Sequence, residues 1–102
     1  MKKINAIFLA LISLAFISCA SDEVEIPVEA SSLEIIQQAQ NAVEKGKKKK
    51  AIKCYEILLQ RYGNNPAIYV EGRYEIAHIY VKQKDYKKAE PILLELKEIY
   101  DS

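Results

Sequence analysis

The sequence predicts an all-α fold, in which a short α-solenoid of two helix-turn-helix repeats follows a signal peptide and a flexible tether. Apolar residues recur at helical spacing through residues 32–102, and no segment alternates with the two-residue period of a strand. The same region also resembles itself after a shift of 38 places, as expected of stacked helical pairs. The predicted units are residues 1–18, 19–31, 32–66 and 67–102.

The first 18 residues have the features of a secretory signal peptide. Two lysines precede an apolar stretch, Ile4 to Ile17, and the small residue Ser18 then precedes Cys19. The stretch is shorter than the roughly 20 residues that span a bilayer. A cleaved signal is therefore favoured over a retained signal anchor.

Residues Phe16 to Cys19 resemble the lipobox of bacterial lipoproteins, with Phe16 where that family usually has leucine. The resemblance implies cleavage before Cys19 and fatty acyl chains, palmitate among them, on that cysteine, with no other cofactor. It also implies a lipid-anchored protein of the cell envelope, on the periplasmic face of the outer membrane because Ala20 is not an aspartate. Buried acyl methylenes contribute about 0.8 kcal/mol each, so several chains give stable anchoring. The alternative is an ordinary signal peptide with a coincidental cysteine.

Composition argues against several classes of function. Without the two N-terminal lysines, 13 of the 15 basic side chains remain against 14 acidic ones, which gives no reason to expect a nucleic-acid partner. His78 is the only histidine, so no multi-histidine metal site is expected. If Cys19 is acylated, Cys54 has no thiol to pair with and is interpreted as a small apolar residue. The sequence contains no phosphate loop, serine elbow or histidine–carboxylate pairing, so we expect no catalytic residues.

Four helices are predicted from capping and breaking signals. Residues 19–31 are acidic and lack an apolar period, which indicates a tether. Ser31 and Glu34 form a capping-box pattern, so the first helix should begin near Ser32 and end at Gly46. The other helices are expected near residues 48–62, 67–83 and 85–100. In the third, one face is predicted to carry Val70, Tyr74, Ala77, Tyr80 and Val81.

Two residues are energetically unfavourable within these predicted helices. Gly72 should cost about 1 kcal/mol in the third helix unless a neighbouring helix needs the gap. Pro91 should cost about 3 kcal/mol in the fourth, so that helix either begins later than Asp85 or bends.

The internal repeat resembles the tetratricopeptide repeat. A shift of 38 places lays Ala39 on Ala77 and Ala51 on Ala89, and small residues there let paired helices approach closely. The resemblance assigns structural positions to Ala39, Gly46, Ala51, Tyr55, Ala77, Tyr80, Tyr86 and Ala89. The period exceeds the standard one by four residues, assigned to 64–67. This longer inter-repeat turn resembles BamD-type outer-membrane assembly lipoproteins, which implies a role in outer-membrane protein assembly.

The resemblance also implies a protein-binding function. In such repeats the first helix of each pair lines the ligand face, which makes the candidates Ile36, Gln40, Glu44, Tyr74, His78 and Lys82; an ordinary solvated face is the alternative. Because roughly three repeats are needed for stability, we expect exposed apolar surface around Leu94 and Ile99, open to a partner or to self-association. The predicted function is a membrane-anchored protein-interaction scaffold. The alternative is a structural or self-associating envelope lipoprotein without a specific peptide ligand.

Overall fold

The computed structural model describes residues 23–102, which form four helices. They are α1 (Ser32–Glu44), α2 (Lys48–Tyr62), α3 (Pro66–Lys82) and α4 (Tyr86–Asp101). Each helix packs against the next one in the chain, and residues 23–102 contain no strand. This confirms the all-α prediction of a short solenoid of helical repeats. The predicted signal peptide and Cys19 lie outside the described residues.

Helices α1 and α3 begin where a side chain satisfies the first backbone N–H groups, whereas α2 and α4 have no side-chain cap. The Ser31 hydroxyl accepts from the Glu34 backbone N–H and donates to the Glu34 carboxylate, both at 3.2 Å, so Ser31 is the N-cap of α1, which starts at Ser32 as predicted. At the start of α3, the Asn65 side chain accepts from the next helical N–H groups at 3.0 and 3.3 Å. Pro66 is the first residue of α3, a position where its missing N–H costs nothing.

The turns inside the two helical pairs have the same backbone conformation. Gly46 has φ +75° and Lys84, which is 38 places later, has φ +62°. In both turns a backbone N–H reaches back to the last turn of the preceding helix at 2.9 Å, from Lys47 to Ala42 and from Asp85 to Tyr80. The repeat therefore extends to backbone geometry, although only the first turn has the glycine that favours a left-handed residue.

The core is built around small residues at the helix contacts. Ala39, Ala51, Ala77 and Ala89 are all buried, as are Ile35, Tyr55 and Leu58. Gly72 is buried where α3 crosses α2, and a Cβ there would lie 2.8 Å from Leu59 Cδ2. The neighbouring helix therefore does need the gap. Pro91 lies on the exposed side of α4, which begins at Tyr86, so the helix continues through this proline.

The side of α3 that packs differs from the face predicted to carry Val70, Tyr74, Ala77, Tyr80 and Val81. The buried residues of α3 are Gly72, Ile76, Ala77 and Ile79. Of the predicted set only Ala77 is buried, whereas the side chains of Val70, Tyr74 and Val81 are exposed. The helix carries apolar residues on more than one face, so periodicity alone cannot select the face that packs.

The predicted position of the four extra residues is also wrong. Residues 64–67 were expected to lengthen the turn between repeats, but α3 already begins at Pro66. Its start lies four residues before the position equivalent to the start of α1. The excess is therefore mostly one additional helical turn, which brings Ile68 against the core and Tyr69 against α4.

The segment before α1 lies against α2 and does not form a free tether. The Arg61 guanidinium donates to two backbone carbonyls of residues 23–30, at 2.6 and 3.0 Å. The Tyr62 hydroxyl donates to the Ala30 carbonyl at 2.6 Å. The apolar side chains that pack with the core are Val24, Ile26 and Ala30. The prediction of a flexible tether over residues 19–31 is therefore wrong for its described part, because scattered apolar residues without periodicity pack onto a helix.

Candidate partner-binding surfaces

The most apolar open surface lies between α3 and α4. We call it the α3/α4 groove; its volume is about 530 Å³. The residues that line it are Ala67, Val70, Glu71, Tyr74, Leu93, Leu96, Lys97, Ile99 and Tyr100. Of the ten large apolar side chains exposed among residues 23–102, eight belong to α3 or α4. Leu94 and Ile99 are among them, which confirms the predicted exposed apolar surface at this end.

A polar cluster links the two helices that form the groove. Tyr69 donates its hydroxyl hydrogen to the Glu95 carboxylate, whose two oxygens both lie at 3.0 Å. The Arg73 Nε donates to the same carboxylate at 3.1 Å. Partial burial, followed by the hydrogen bond to Glu95, raises the pKa of Tyr69, so its hydroxyl stays protonated as a donor. These contacts link α3 to α4 beside the groove.

Two charged side chains interrupt the apolar lining, Glu71 on α3 and Lys97 on α4. Lys97 lies 3.3 Å from Asp101, one helical turn further on, and both side chains are exposed. Such a solvated pair contributes little to stability, so Lys97 can exchange partners at low cost. The groove therefore suits an apolar helix face flanked by charges of either sign.

The six predicted ligand residues are divided between different surfaces. Gln40 and Glu44 line a groove of about 390 Å³ together with Val43, Tyr55 and Glu75. Tyr74 lines the α3/α4 groove instead, and its ring stacks on the His78 ring at 6.0 Å.

The remaining predicted ligand residues line neither groove. Ile36 is half-buried against the core, while His78 and Lys82 are exposed on α3. The assignment of these six residues to a partner stays a prediction.

The groove beside α1 is acidic. Glu44 and Glu75 are its charged residues, and Glu75 did not follow from the repeat motif. The Tyr55 side chain contributes to the lining, and burial, with Glu75 and Glu71 nearby, raises the pKa of Tyr55 to about 12. Carboxylates on an open surface favour basic ligands, so this groove and the α3/α4 groove differ in the chemistry that they can recognise.

Several groove residues, Val70, Leu93 and Leu96 among them, were not predicted as binding residues. Apolar residues at helical spacing indicate a helix face but do not show whether that face is covered. The internal repeat could have identified Leu93 and Leu96 as residues that a further helix can cover. A shift of 38 places aligns them with Tyr55 and Leu58, which are both buried. The last pair has no following helix among the described residues.

Other features of the described residues bear on chemistry. Cys54 is fully buried, and burial raises the pKa of its thiol despite the nearby Lys50. Residues 23–102 contain no cluster of histidine, cysteine and acidic side chains that could hold a metal ion. None of the four helices is both long enough and apolar enough to cross a membrane.

Comparison with known proteins identifies a tetratricopeptide repeat at residues 70–102. An uncharacterized protein of Treponema pallidum (strain Nichols) is 29% identical over 96 residues, which cover 91% of this chain. The chain spans only 38% of the length of that relative. No solved structure gives a significant match. The detected repeat, of a kind that generally mediates protein–protein interaction, coincides with α3 and α4, the pair that forms the apolar groove.

Proposed function

We propose that this protein is a membrane-anchored envelope lipoprotein that serves as a non-catalytic protein-interaction scaffold. The observation that carries the proposal is the open apolar groove on the helical pair in which a tetratricopeptide repeat is detected. Monomeric proteins rarely expose contiguous apolar surface without a use for it. The acidic groove beside α1 offers a second, chemically different contact.

The lipid anchor is proposed at Cys19, on the strength of the lipobox resemblance at Phe16 to Cys19. Residues 23–30 dock on α2, and three residues separate Cys19 from them in the sequence. At about 3.5 Å per residue, the distance from Cys19 to Glu23 is at most about 15 Å. The docked segment would therefore begin close to the membrane.

The finer assignment is the periplasmic face of the outer membrane and a role in outer-membrane protein assembly. It is supported by Ala20 after the cysteine and by the resemblance to BamD-type lipoproteins. Because the structure places the four extra residues mostly in α3 and not in a longer turn, that resemblance depends on the N-terminal anchor and the helical repeat.

Mass spectrometry of the mature chain isolated from membranes tests the anchor. We expect the mass of residues 19–102 plus acyl groups. The Cys19→Ala variant should lose the acyl mass and leave the membrane fraction. Soluble, unacylated wild-type protein would contradict the proposal.

Site-specific crosslinking in cells tests the scaffold function. A photoreactive residue in place of Tyr74 or His78 should give a defined crosslinked product that the same residue in place of Leu33, an exposed apolar position on α1, does not give. If products form equally at all three positions, the alternative of a structural lipoprotein without a specific ligand is favoured.

A further inference from the structure

The part of the α3/α4 groove that α4 forms has a counterpart on α2, and that counterpart is covered. Residues 38 places before Leu93 and Leu96 are Tyr55 and Leu58, whose exposed fractions are 1% and 0%. Leu93, by contrast, is 40% exposed. Helices α2 and α4 therefore present equivalent surfaces, one covered and one open.

Helix α3 covers the central part of the α2 surface, whereas Arg61 and Tyr62 at the end of α2 contact residues 26–30. At Gly72 it passes over α2 so closely that an added Cβ would lie 2.8 Å from Leu59 Cδ2 and 3.6 Å from Leu58 Cδ2. Glu71 and Glu75 of α3 also lie near enough to the Tyr55 phenol to raise its pKa. The buried apolar stripe on α3 consists of Gly72, Ile76 and Ile79. A helix with a small residue at the crossing point and larger apolar residues along one stripe therefore packs on such a surface.

Among the differences between the two helical pairs, two replace an apolar side chain with a charged one. Where the first pair has Leu33 and Leu59, the second has Glu71 and Lys97. These opposite charges, one on each helix, favour an occupant with complementary charges beside its apolar stripe. They also lower the free-energy cost of exposing the unoccupied groove to water, as expected for a transient interaction.

We propose that the α3/α4 groove binds an amphipathic helix of a separate partner protein. This helix packs where the first helix of a third repeat would lie. This inference rests on the proposed scaffold function and names the class of ligand. The helix carries an α3-like apolar stripe with a small residue at the crossing point and an acidic side chain near Lys97. A second copy stacked head to tail is disfavoured, because Leu33 is the only large apolar side chain that α1 exposes.

The probe is a fluorescent peptide of residues 65–83, because this helix fits the equivalent surface of the first pair. Its binding to the full-length chain, purified in detergent micelles, is followed by fluorescence anisotropy. We expect saturable binding, and loss of binding when Ile76→Asp and Ile79→Asp are combined in the peptide. In the protein, Tyr100→Ala should weaken binding at least tenfold. Tyr86→Ala is the matched control, since Tyr86 is exposed on the same helix but lies outside the groove, and should leave binding unchanged.

Leu93→Asn supplies a second test within the groove, with circular dichroism to verify that the variant retains its helices. No saturable binding by the wild-type chain, or equal binding by the Tyr100 and Tyr86 variants, would overturn the proposal. Sedimentation velocity without peptide tests whether a second copy of the chain occupies the groove. A concentration-dependent dimer that Tyr100→Ala dissociates would mean that a second copy fills the groove, which also overturns the proposal. If these tests fail while crosslinking at His78 still captures a defined product, the scaffold function stands and only the groove assignment falls.

Discussion

The two helical pairs have the same internal geometry but different neighbours. Both join their helices through a left-handed turn residue, Gly46 or Lys84, with equivalent backbone hydrogen bonds. Yet Tyr55 is buried on α2, which packs against both α1 and α3, while Leu93 at the equivalent position is open. In a repeat protein the burial of a residue thus depends on the next repeat as much as on its own sequence.

The largest expected effect compares Leu58 with its counterpart Leu96. Leu58 is fully buried, whereas Leu96 is only partly buried against the core. Leu58→Ala should lower the free energy of unfolding by about 3 kcal/mol and Leu96→Ala by about 1 kcal/mol, because the second site loses less packing. Urea denaturation measures both. Equal losses would mean that the groove of the second pair is covered in solution.

The crossing of α2 and α3 at Gly72 gives the next effect. Gly72→Val should destabilise by about 2 kcal/mol, since its methyl groups would meet the Leu58 and Leu59 side chains. Combining it with Leu59→Ala should recover part of that loss, as a double-mutant cycle by thermal denaturation would reveal. Purely additive losses would place the cost in the α3 backbone and not in this contact.

Alkaline titration tests the covered surface through Tyr55. The pKa of this phenol is raised from 10.0 to about 12, first by burial and then by the Glu75 and Glu71 carboxylates. The folded state therefore holds the proton more tightly than the unfolded state does. Its contribution to stability is complete below pH 10 and is lost as the pH rises towards 12. In urea denaturation across this range, Tyr55→Phe should lose less stability than the wild type; parallel losses would contradict the burial.

Substitutions in the two turns should change the free energy of unfolding by a smaller amount, and in opposite directions. Lys84→Gly should stabilise the protein by about 1 kcal/mol, because glycine adopts positive φ without the steric cost of a Cβ. Gly46→Lys should destabilise it by a similar amount. Melting temperatures of the two variants check the prediction, which is wrong if both shift in the same direction.

The smallest effect concerns the segment docked on α2. Arg61→Ala removes two hydrogen bonds to backbone carbonyls of residues 23–30 and should cost about 1 kcal/mol, since the guanidinium is largely solvated. The clearer measure is hydrogen exchange, which should accelerate at Ala30 while α4 stays protected. Unchanged exchange would mean that apolar packing alone holds the segment.

Much of the fold could be predicted from local signals. The capping pattern at Ser31 and Glu34 set the start of α1, and the 38-place repeat paired the helices, because both depend on neighbouring residues or on self-similarity. The candidate site was harder to predict. Periodicity placed Val70 and Tyr74 on one face of the third helix, but an apolar helix face looks the same whether a neighbour covers it or not.

Four helices, their order and the buried alanines followed from local sequence, because helical periodicity and small residues at repeated positions encode them directly. Three features required the three-dimensional structure: the face of α3 that packs, the position of residues 23–30 on α2, and the open apolar groove of the second pair. Those features depend on contacts between residues far apart in the chain, such as Arg61 with the carbonyl of Ile26. The local sequence around either residue does not predict such a contact.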